Sequence, residues 1–296
     1  MRMSRLRLQG QMSLLAMLLS NAPVGAAVIG SSARHLEQGS WRASVQYQGV
    51  QKEDLEFDVG SSGTCAGNTV PAGTVTFPCG ATGTVEATGS GESVIAKLEL
   101  QPYERMQYYV SGGAGNYRLK ASTLTAAGDN LGFILGGGVK ALVMSESLVT
   151  PAIAIDAGVS LESYRFSRSN SARASIAERL ELLRTYVAVE GSKRFDFDEN
   201  ITLEPYGGVK WLRTRATIKD LNSTDRQSGN QDTVSPFVGL SLPVFGREGF
   251  FAEASFVNGI HYGFGLNIAF GGKEKKSMNS RCGCAETNST GPNPTT

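Results

Sequence analysis

The last apolar segment of the chain alternates with a period of two, and this pattern constrains the fold more than any other feature. From Ile260 to Phe270 the even positions carry Ile, Tyr, Phe, Leu, Ile and Phe, and the odd positions carry His, Gly, Gly, Asn and Ala. Because successive side chains of a β-strand point to opposite faces, the segment predicts a strand with one bulky apolar face and one small or polar face.

The same alternation recurs upstream from Trp41, in segments bounded by clusters of Gly, Ser, Asn, Asp and Pro. Such clusters are typical of turns and loops between strands. Together these segments predict about ten strands, within a range of eight to twelve. Residues 172–183 are an exception, because their Ala, Glu, Arg and Leu content favours a turn or two of helix.

The predicted connections also alternate in length. Those at 102–104, 144–147, 195–200 and 245–249 are short, whereas most of the others are longer, above all the one that follows Val50. Within that long link, residues 55–59 and 74–77 could form an extra hairpin. The link at Asn258 and Gly259 is tight and departs from this alternation. Short turns on one side and long loops on the other are typical of a bacterial membrane barrel, and an even number of strands would place both termini on the short-turn side.

The polar face separates a membrane barrel from a soluble one, since both would show a period of two. A face that meets water usually carries many Lys and Glu side chains. Here it is rich in Gly, Ser and Ala, which suits a crowded lumen, and aromatic residues gather near strand ends as in interfacial girdles, at Trp41, Tyr47, Tyr108, Tyr164, Phe166, Trp211, Phe250, Tyr262 and Phe270. We therefore expect an all-β chain in which residues 41–270 form a closed antiparallel up-and-down transmembrane β-barrel.

The first 27 residues predict an export signal. Arg2, Arg5 and Arg7 precede a short apolar run at 12–19, and small residues suit cleavage after Ala26 or Ala27. The alternative is a short amphipathic anchor helix. Residues 28–40 would then be a periplasmic lead. The chain has 28 bases and 27 acids, and this near-neutral balance gives no electrostatic reason to expect nucleic acid as a partner.

Four cysteines fit an oxidising compartment. Cys65 and Cys79 enclose a Gly-, Thr- and Val-rich stretch, and we expect them to form a disulfide. A direct bond between Cys282 and Cys284 would be strained, so pairing with another chain or a free state is at least as plausible. Neither pair has zinc-ligand spacing, and we expect no metal and no cofactor. The polar composition of residues 271–296 predicts a disordered periplasmic tail.

The segment that ends at Phe270 resembles the C-terminal strand of bacterial outer-membrane barrels, and residues 41–270 resemble OmpA-like and opacity-type small barrels. The resemblance implies that the barrel-insertion machinery recognises this strand, through Tyr262, Phe264, Leu266, Ile268 and Phe270. It also implies an outer-membrane location, with membrane lipid as a partner. One departure is that the family's terminal Phe normally ends the chain, whereas residues 271–296 follow it here.

The inward faces of the predicted strands carry balanced charges. The bases are Arg42, Lys97, Arg105, Lys140, Arg184 and Lys210, and the acids are Glu99, Asp156, Glu162, Glu190, Glu204 and Glu253. A barrel of about ten strands has a narrow interior. Unpaired buried charges are costly, so we expect these groups to pair across strands and fill the lumen.

Three functions follow from this pattern. The first is a structural or surface-interaction barrel that displays the loop at 50–92, closed by Cys65 and Cys79, to a surface ligand. The alternative is a small porin for ions or small solutes. A third hypothesis places a Ser-His-Glu set at the rim, formed by Ser255, His261 and Glu253. Because lone lumen histidines usually only form hydrogen bonds, we expect no enzyme activity.

Overall fold

A computed structural model of the chain describes residues 32–59, 83–121, 124–127, 131–169, 175–198, 201–221, 226–244 and 248–271. The predicted export signal, the four cysteines and nearly all of the predicted tail lie outside these ranges. Within them, no helix is long and apolar enough to cross a membrane.

The described residues form twelve β-strands: β1 Trp41–Val59, β2 Gly83–Tyr103, β3 Met106–Ala121, β4 Leu124–Ala127, β5 Gly132–Met144, β6 Ala152–Ser169, β7 Ser175–Ser192, β8 Phe195–Asp198, β9 Ile201–Asp220, β10 Arg226–Val244, β11 Glu248–Ser255 and β12 Ile260–Phe270. Ten of them close an antiparallel up-and-down barrel, in which β12 pairs with β1 along its whole length. The short β4 and β8 pair with β3 and β9 outside this ring. The predicted fold class is confirmed.

The prediction of helix at residues 172–183 is wrong. Strand β7 begins at Ser175 and pairs in register with β6 on one side and β9 on the other. Leu180 and Leu182 are buried in the barrel, while Glu181 and Leu183 face outward. Two neighbouring strands thus override the intrinsic helix preference of Ala, Glu and Leu, which is a weak local effect.

The prediction of one long loop after Val50 is also wrong for the described part. Strand β1 continues to Val59 and pairs with the first residues of β2, so the hairpin extends well past the predicted strand ends. A β-bulge lies between Val50 and Glu53, where Lys52 has a φ of 57°. Because a bulge adds one residue to a strand, even positions face inward before it and odd positions after it. Residues 60–82 lie outside the described ranges.

The β11–β12 hairpin is much shorter than its neighbours. Above it, β1 and β10 come together directly, and Asp58 pairs with Ser228. The predicted tight link at Asn258 and Gly259 is confirmed, with φ values of 57° and 94°. A Cβ on Gly259 would lie 2.3 Å from the carbonyl oxygen of Gln51, so only glycine fits this turn beside β1.

The wall has two zones of opposite polarity. The lower zone is the part of the wall where the barrel begins at Trp41 and ends at Phe270. Large apolar side chains face outward there, as at Val45 and Leu135, which are each 56% exposed. The inward side chains there are polar and buried, as at Gln46 and Lys97. A wide apolar belt around a polar interior is the arrangement that lipid requires. The chain is therefore a transmembrane β-barrel of the outer-membrane type.

The upper zone, above the β1 bulge, has the reverse arrangement. Apolar side chains such as Phe57 and Leu180 are buried inside the barrel, while charged side chains such as Asp54 and Arg118 face outward. This part of the wall suits water outside and a packed core inside. Tyr164 and Phe166 belong to this interior, with exposures of 3% and 6%, so their predicted place in an interfacial girdle is wrong. Trp41 and Trp211 face outward, each 40% exposed.

Candidate functional site in the barrel lumen

Most of the charged residues predicted for the lumen are buried there: Lys97, Glu99, Lys140, Asp156, Glu162, Arg184, Glu190, Glu204, Lys210 and Glu253. Arg42 is partly buried, with 12% of its side chain exposed. The predicted lumen position of Arg105 is wrong, because this residue lies exposed in the turn between β2 and β3. A hairpin turn ends at the rim of the barrel, so a long side chain there reaches water instead of the bore.

Two buried acids, Glu53 and Glu178, were missed by the sequence reasoning. Glu53 follows the β1 bulge and is fully buried, since the extra residue turns the odd positions inward. Glu178 lies in the segment of β7 that resembled helix. The alternation of Glu53, Leu55 and Phe57 was a usable signal, since residues 55–59 were already a possible hairpin strand within the long link.

The central feature of the lumen is a cluster that we call the transverse cluster, made of Glu53, Tyr117, Glu162, Tyr164 and Arg184. The guanidinium of Arg184 donates to both carboxylate oxygens of Glu53, with Nη2 2.9 Å from Oε2, and its Nε lies 2.9 Å from Oε1 of Glu162. Strands β1 and β7 stand opposite each other in the ring. Arg184 therefore spans the bore from one wall to the other.

Two tyrosines complete the transverse cluster. The hydroxyl of Tyr117 donates to Glu53 at 2.9 Å, and that of Tyr164 donates to Glu162 at 2.9 Å. Their rings stack with centroids 5.2 Å apart. Each carboxylate thus has an arginine and a tyrosine as partners, which offsets much of the cost of removing it from water.

A glycine on the neighbouring strand makes room for Tyr117. A Cβ built on Gly89 would lie 1.8 Å from the tyrosine hydroxyl oxygen. Any larger residue at this position would push the ring out of the transverse cluster. The wall and the lumen contents are therefore fitted to each other.

Apolar side chains pack above the transverse cluster, in the interior of the upper zone. They are buried, and we call them the apolar plug: Val50, Leu55, Phe57, Ala87, Leu119, Phe166, Leu180, Leu182, Ala216 and Ile218. These residues come from β1, β2, β3, β6, β7 and β9 and thus from most of the ring. Hydrated ions and polar solutes would have to lose water to cross such a region.

Below the transverse cluster, a second set of polar groups links β3, β5, β6 and β7. The hydroxyl of Tyr109 donates to Oδ1 of Asp156 at 2.8 Å and lies 2.5 Å from the hydroxyl of Tyr186. Lys140 extends its ammonium to Glu190 at 2.5 Å and to Asp156 at 3.7 Å. These charged groups lie on different strands and pair with one another across the wall.

Near the place where β1 and β12 close the barrel, Glu99 pairs with two basic side chains. It forms an ion pair with Arg42 and another with Lys97, at 2.9 Å. The ammonium of Lys97 also lies 4.2 Å from the ring centroid of Tyr109, in a cation–π contact. Tyr109 therefore connects the Glu99 ion pairs to the polar groups around Asp156.

The lower end of the lumen is occupied by the segment that precedes β1. The Nζ of Lys140 donates to the carbonyl oxygen of Ser32 at 3.1 Å, and Ala33 is fully buried against Ala152 and Ala154. His35 follows, and partial burial, helped by the charges of Lys140 and Arg42, lowers its pKa to about 4. Both ring nitrogens are buried without a hydrogen-bond partner among the described residues. The ring is thus held neutral at physiological pH.

Two small voids lie within the lumen. One, of about 50 Å³, is lined by residues that include Gln46, Lys97 and Tyr186. The other, of about 10 Å³, lies beside Tyr117, Tyr164 and Arg184. A single water needs roughly 10–15 Å³ by this measure, so the first void could hold a few waters and the second at most one.

The predicted Ser-His-Glu set does not form the contacts that catalysis would need. Ser255 and His261 are register partners on β11 and β12. The Nε2 of His261, however, lies 2.8 Å from the carbonyl oxygen of Asn258, and Glu253 accepts a hydrogen bond from Tyr206 at 3.3 Å. His261 and Glu253 thus each contact a residue outside the predicted set. Among the described residues, no cluster of three or more His, Cys, Asp or Glu side chains could hold a metal ion.

Comparison with known proteins gives structural likenesses only. No family model matches the chain, and no curated protein matches it. Among solved structures, the translocator domain of the autotransporter NalP from Neisseria meningitidis is similar, with a TM-score of 0.45 and 12% identity over 90% of this chain and 96% of that one.

Two further structures are similar over their full length. The outer-membrane protease OmpT from Escherichia coli has a TM-score of 0.44 and 10% identity, and covers 81% of this chain and 100% of its own. The outer-membrane protein OprG from Pseudomonas aeruginosa has a TM-score of 0.41 and 11% identity, and covers 82% of this chain and 100% of its own.

Proposed function

We propose that this protein is an exported bacterial outer-membrane barrel with a closed lumen, which serves as a structural or surface-interaction protein. The observation that carries the proposal is the transverse cluster. Arg184 joins opposite walls through Glu53 and Glu162, and the stacked rings of Tyr117 and Tyr164 fill the space beside it. Opening a path would require breaking buried ion pairs, which is costly.

Two further barriers support the closed state. The apolar plug fills the upper zone, and the segment around Ala33 packs against Ala152 and Ala154 at the lower end. A solute would meet three obstacles of different chemistry in series: a peptide segment, a set of paired charges and an apolar core. A selective pore instead needs a continuous polar path and commonly shows an excess of one charge sign.

The upper zone supports a role at the cell surface. Its wall rises beyond the apolar belt and is charged on the outside. The β1–β2 hairpin carries residues 60–82 at its tip, and we propose that this segment, with the predicted Cys65–Cys79 disulfide, contacts a surface ligand. The rigid wall beneath it would hold the loop clear of the membrane.

For His261 we propose a structural role instead of a catalytic one. Its contact with the carbonyl oxygen of Asn258 stabilises the tight β11–β12 turn. A nucleophile requires a base within hydrogen-bond reach, and Nε2 of this imidazole contacts a backbone carbonyl oxygen instead of a serine hydroxyl.

The test of the closed lumen is single-channel recording. The full chain would be refolded into phosphatidylcholine bilayers, and the shift of its band on heating before electrophoresis would report folding. We expect the folded protein to give no stable conductance step, with a porin of known conductance as positive control. Reproducible steps from the folded fraction would contradict the closed lumen and favour the small porin.

A further inference from the structure

The outer surface of the upper zone is unevenly charged. On the side formed by β6, β7, β9 and β10, the outward charged residues whose side chains the structure describes are five bases and two acids: Arg165, Arg179, Arg213, Arg215, Lys219, Glu181 and Asp232. On the side formed by β1, β2 and β3, the corresponding described side chains are three bases and four acids: Lys52, Arg118, Lys120, Asp54, Glu56, Glu86 and Glu92. We call the first surface the basic face.

The upper tier of the basic face is a row of like charges. Arg165 of β6 is the register partner of Arg179 of β7, which is the partner of Lys219 of β9. Like charges directly opposite each other destabilise a sheet. Glu181 compensates Lys219 at 2.6 Å, but the Nε of Arg179 is buried and has no hydrogen-bond partner among the described residues. Arg165, Arg179 and Lys219 thus bring three bases together beside one acid, Glu181, and this local positive charge favours an external anion.

The lower tier lies at the margin of the apolar belt. Trp211 faces outward beside Val187 of β7, and the next two outward residues of β9 are Arg213 and Arg215. Asp232 lies 3.9 Å from Arg213, at the limit of an ion pair. An outward Trp followed by two Arg residues is typical of a strand that leaves hydrocarbon and enters the headgroup layer.

The two tiers are too far apart for an ordinary phospholipid. Lys219 is four residues beyond Arg215, which corresponds to roughly 13 Å along the strand and about 10 Å along the membrane normal for a strand tilted by about 40°. The headgroup layer on one side of a bilayer is only about 5–8 Å thick. A phosphate at the acyl boundary reaches the lower tier, but the upper tier needs a phosphate on an extended headgroup.

We infer that the basic face binds a phosphorylated glycolipid of the outer leaflet, with phosphates at two depths. Phosphates near the acyl chains contact Arg213 and Arg215, and phosphates on the outer sugars contact Arg165 and Arg179. Lysine and arginine near a membrane surface attract anionic headgroups. This inference rests on the proposed outer-membrane location and names the lipid that surrounds one side of the barrel there.

The experiment compares matched charge removals in the full chain, folded in phosphatidylcholine nanodiscs. R165Q/R179Q alters the upper tier, R213Q/R215Q alters the lower tier, and R118Q/K120Q removes two outward bases from the opposite side. The probes are lipopolysaccharide with a phosphorylated core, the same lipid with its core phosphates removed, phosphatidylglycerol and inorganic phosphate. Binding is measured as glycolipid retained through size-exclusion chromatography.

We expect the phosphorylated lipopolysaccharide to bind wild type, and its affinity to fall about twenty-five-fold in R165Q/R179Q, from roughly fivefold for each base. Core-dephosphorylated lipid should bind wild type as weakly as the intact lipid binds R165Q/R179Q, because both lack the upper contact. Binding of phosphatidylglycerol should fall only in R213Q/R215Q, and R118Q/K120Q should bind every probe as the wild type does.

Three results would overturn the inference. They are an absence of retained glycolipid on folded wild type, an equal loss in R118Q/K120Q, and displacement of the glycolipid by inorganic phosphate at the same phosphate concentration. None of them bears on the closed lumen, which fails only if conductance steps appear. The two proposals therefore fail separately.

Discussion

Arg184 of β7 and Glu53 of β1 form a bidentate ion pair across the full width of the bore. Both side chains are almost completely buried. The pair ties together two strands that share no backbone hydrogen bond, and Glu162 supplies a second carboxylate to the same guanidinium. It therefore acts as an internal strut that fixes the cross-section of the barrel.

The strut predicts a large loss of stability in Arg184→Met. That substitution leaves two buried carboxylates without their cation, and breaking a buried pair in this way costs about 3–5 kcal/mol. The triple variant R184M/E53Q/E162Q removes all three charges and should recover a substantial part of the loss. Urea midpoints, followed by the heat-modifiable band, provide the measurement. Equal midpoints for the single and triple variants would show that the charges are not coupled.

A second prediction concerns the fit between Gly89 and Tyr117. Gly89→Ala places a methyl group against the tyrosine hydroxyl, and overpacking of this kind costs about 1–3 kcal/mol. Gly112→Ala is the matched control, since the nearest atom to its Cβ is 3.7 Å away, in Leu135. Both substitutions lie on the β2–β3 hairpin. A similar loss of stability in the two variants would refute the packing argument.

The two zones predict opposite responses to an outward arginine. Val187→Arg lies in the apolar belt and should cost about 2–4 kcal/mol if it lies near the bilayer midplane. Thr88→Arg faces outward in the upper zone, where Asp54 is its register partner, and should change stability by about 0.5 kcal/mol or less. Folding yield into phosphatidylcholine vesicles measures both. Tolerance of arginine at both positions would mean that the belt does not face hydrocarbon.

The lowered pKa of His35 predicts that acid releases the segment before β1. Below its ordinary pKa of 6.5, the released ring binds a proton that the docked ring, with a pKa of about 4, does not. Docking is therefore strongest above pH 6.5 and weakens as the pH falls toward 4. The full shift corresponds to about 3 kcal/mol, which solvent screening of a partly exposed side chain reduces to about 1 kcal/mol.

Hydrogen exchange of residues 32–40 at pH 7 and pH 4.5 measures this release. We expect lower protection at the acidic pH for the wild type, and a much smaller change for His35→Asn, which carries no titratable group. A pH response of the same size in both proteins would assign the effect to other groups.

The β11–β12 turn gives a further prediction. The side-chain oxygen of Asn258 accepts a hydrogen bond from the amide of Asp54 at 2.9 Å, and its side-chain nitrogen donates to the carbonyl oxygen of Asp54 at 3.3 Å. Asn258→Ala removes both bonds and also disfavours the positive φ, at a combined cost of about 1–3 kcal/mol. Asn258→Gly keeps the φ and loses only the bonds. Protection of the Asp54 amide should fall in both variants, and global stability more in the alanine variant.

The sequence was sufficient for the barrel and for most of the lumen, because each strand shows its two faces through a period of two. Lys97, Glu99 and Lys140 follow from that pattern alone. Glu53 does not, because the bulge at Lys52 changes which positions face inward and no local rule announces it. The pairing of Arg184 with Glu53 joins residues 131 positions apart and depends on the closed ring.

The reversal of polarity in the upper zone was also beyond local reasoning. The segment around Leu180 and Leu182 alternates in the same way as one in the lower zone. Which face lies inside depends on whether lipid or water surrounds the wall, and a short segment does not contain that information.

The contact of β1 with β10 above the short β11–β12 hairpin has a consequence for the seam between the first and last strands. Parting β1 from β12 would not by itself release β1, since Asp58 remains paired with Ser228 higher up. Separating β1 from β10 would also move Phe57 out of the apolar plug and into water. The seam is thus held a second time in the upper zone, by a strand that is not the sequence neighbour of β1.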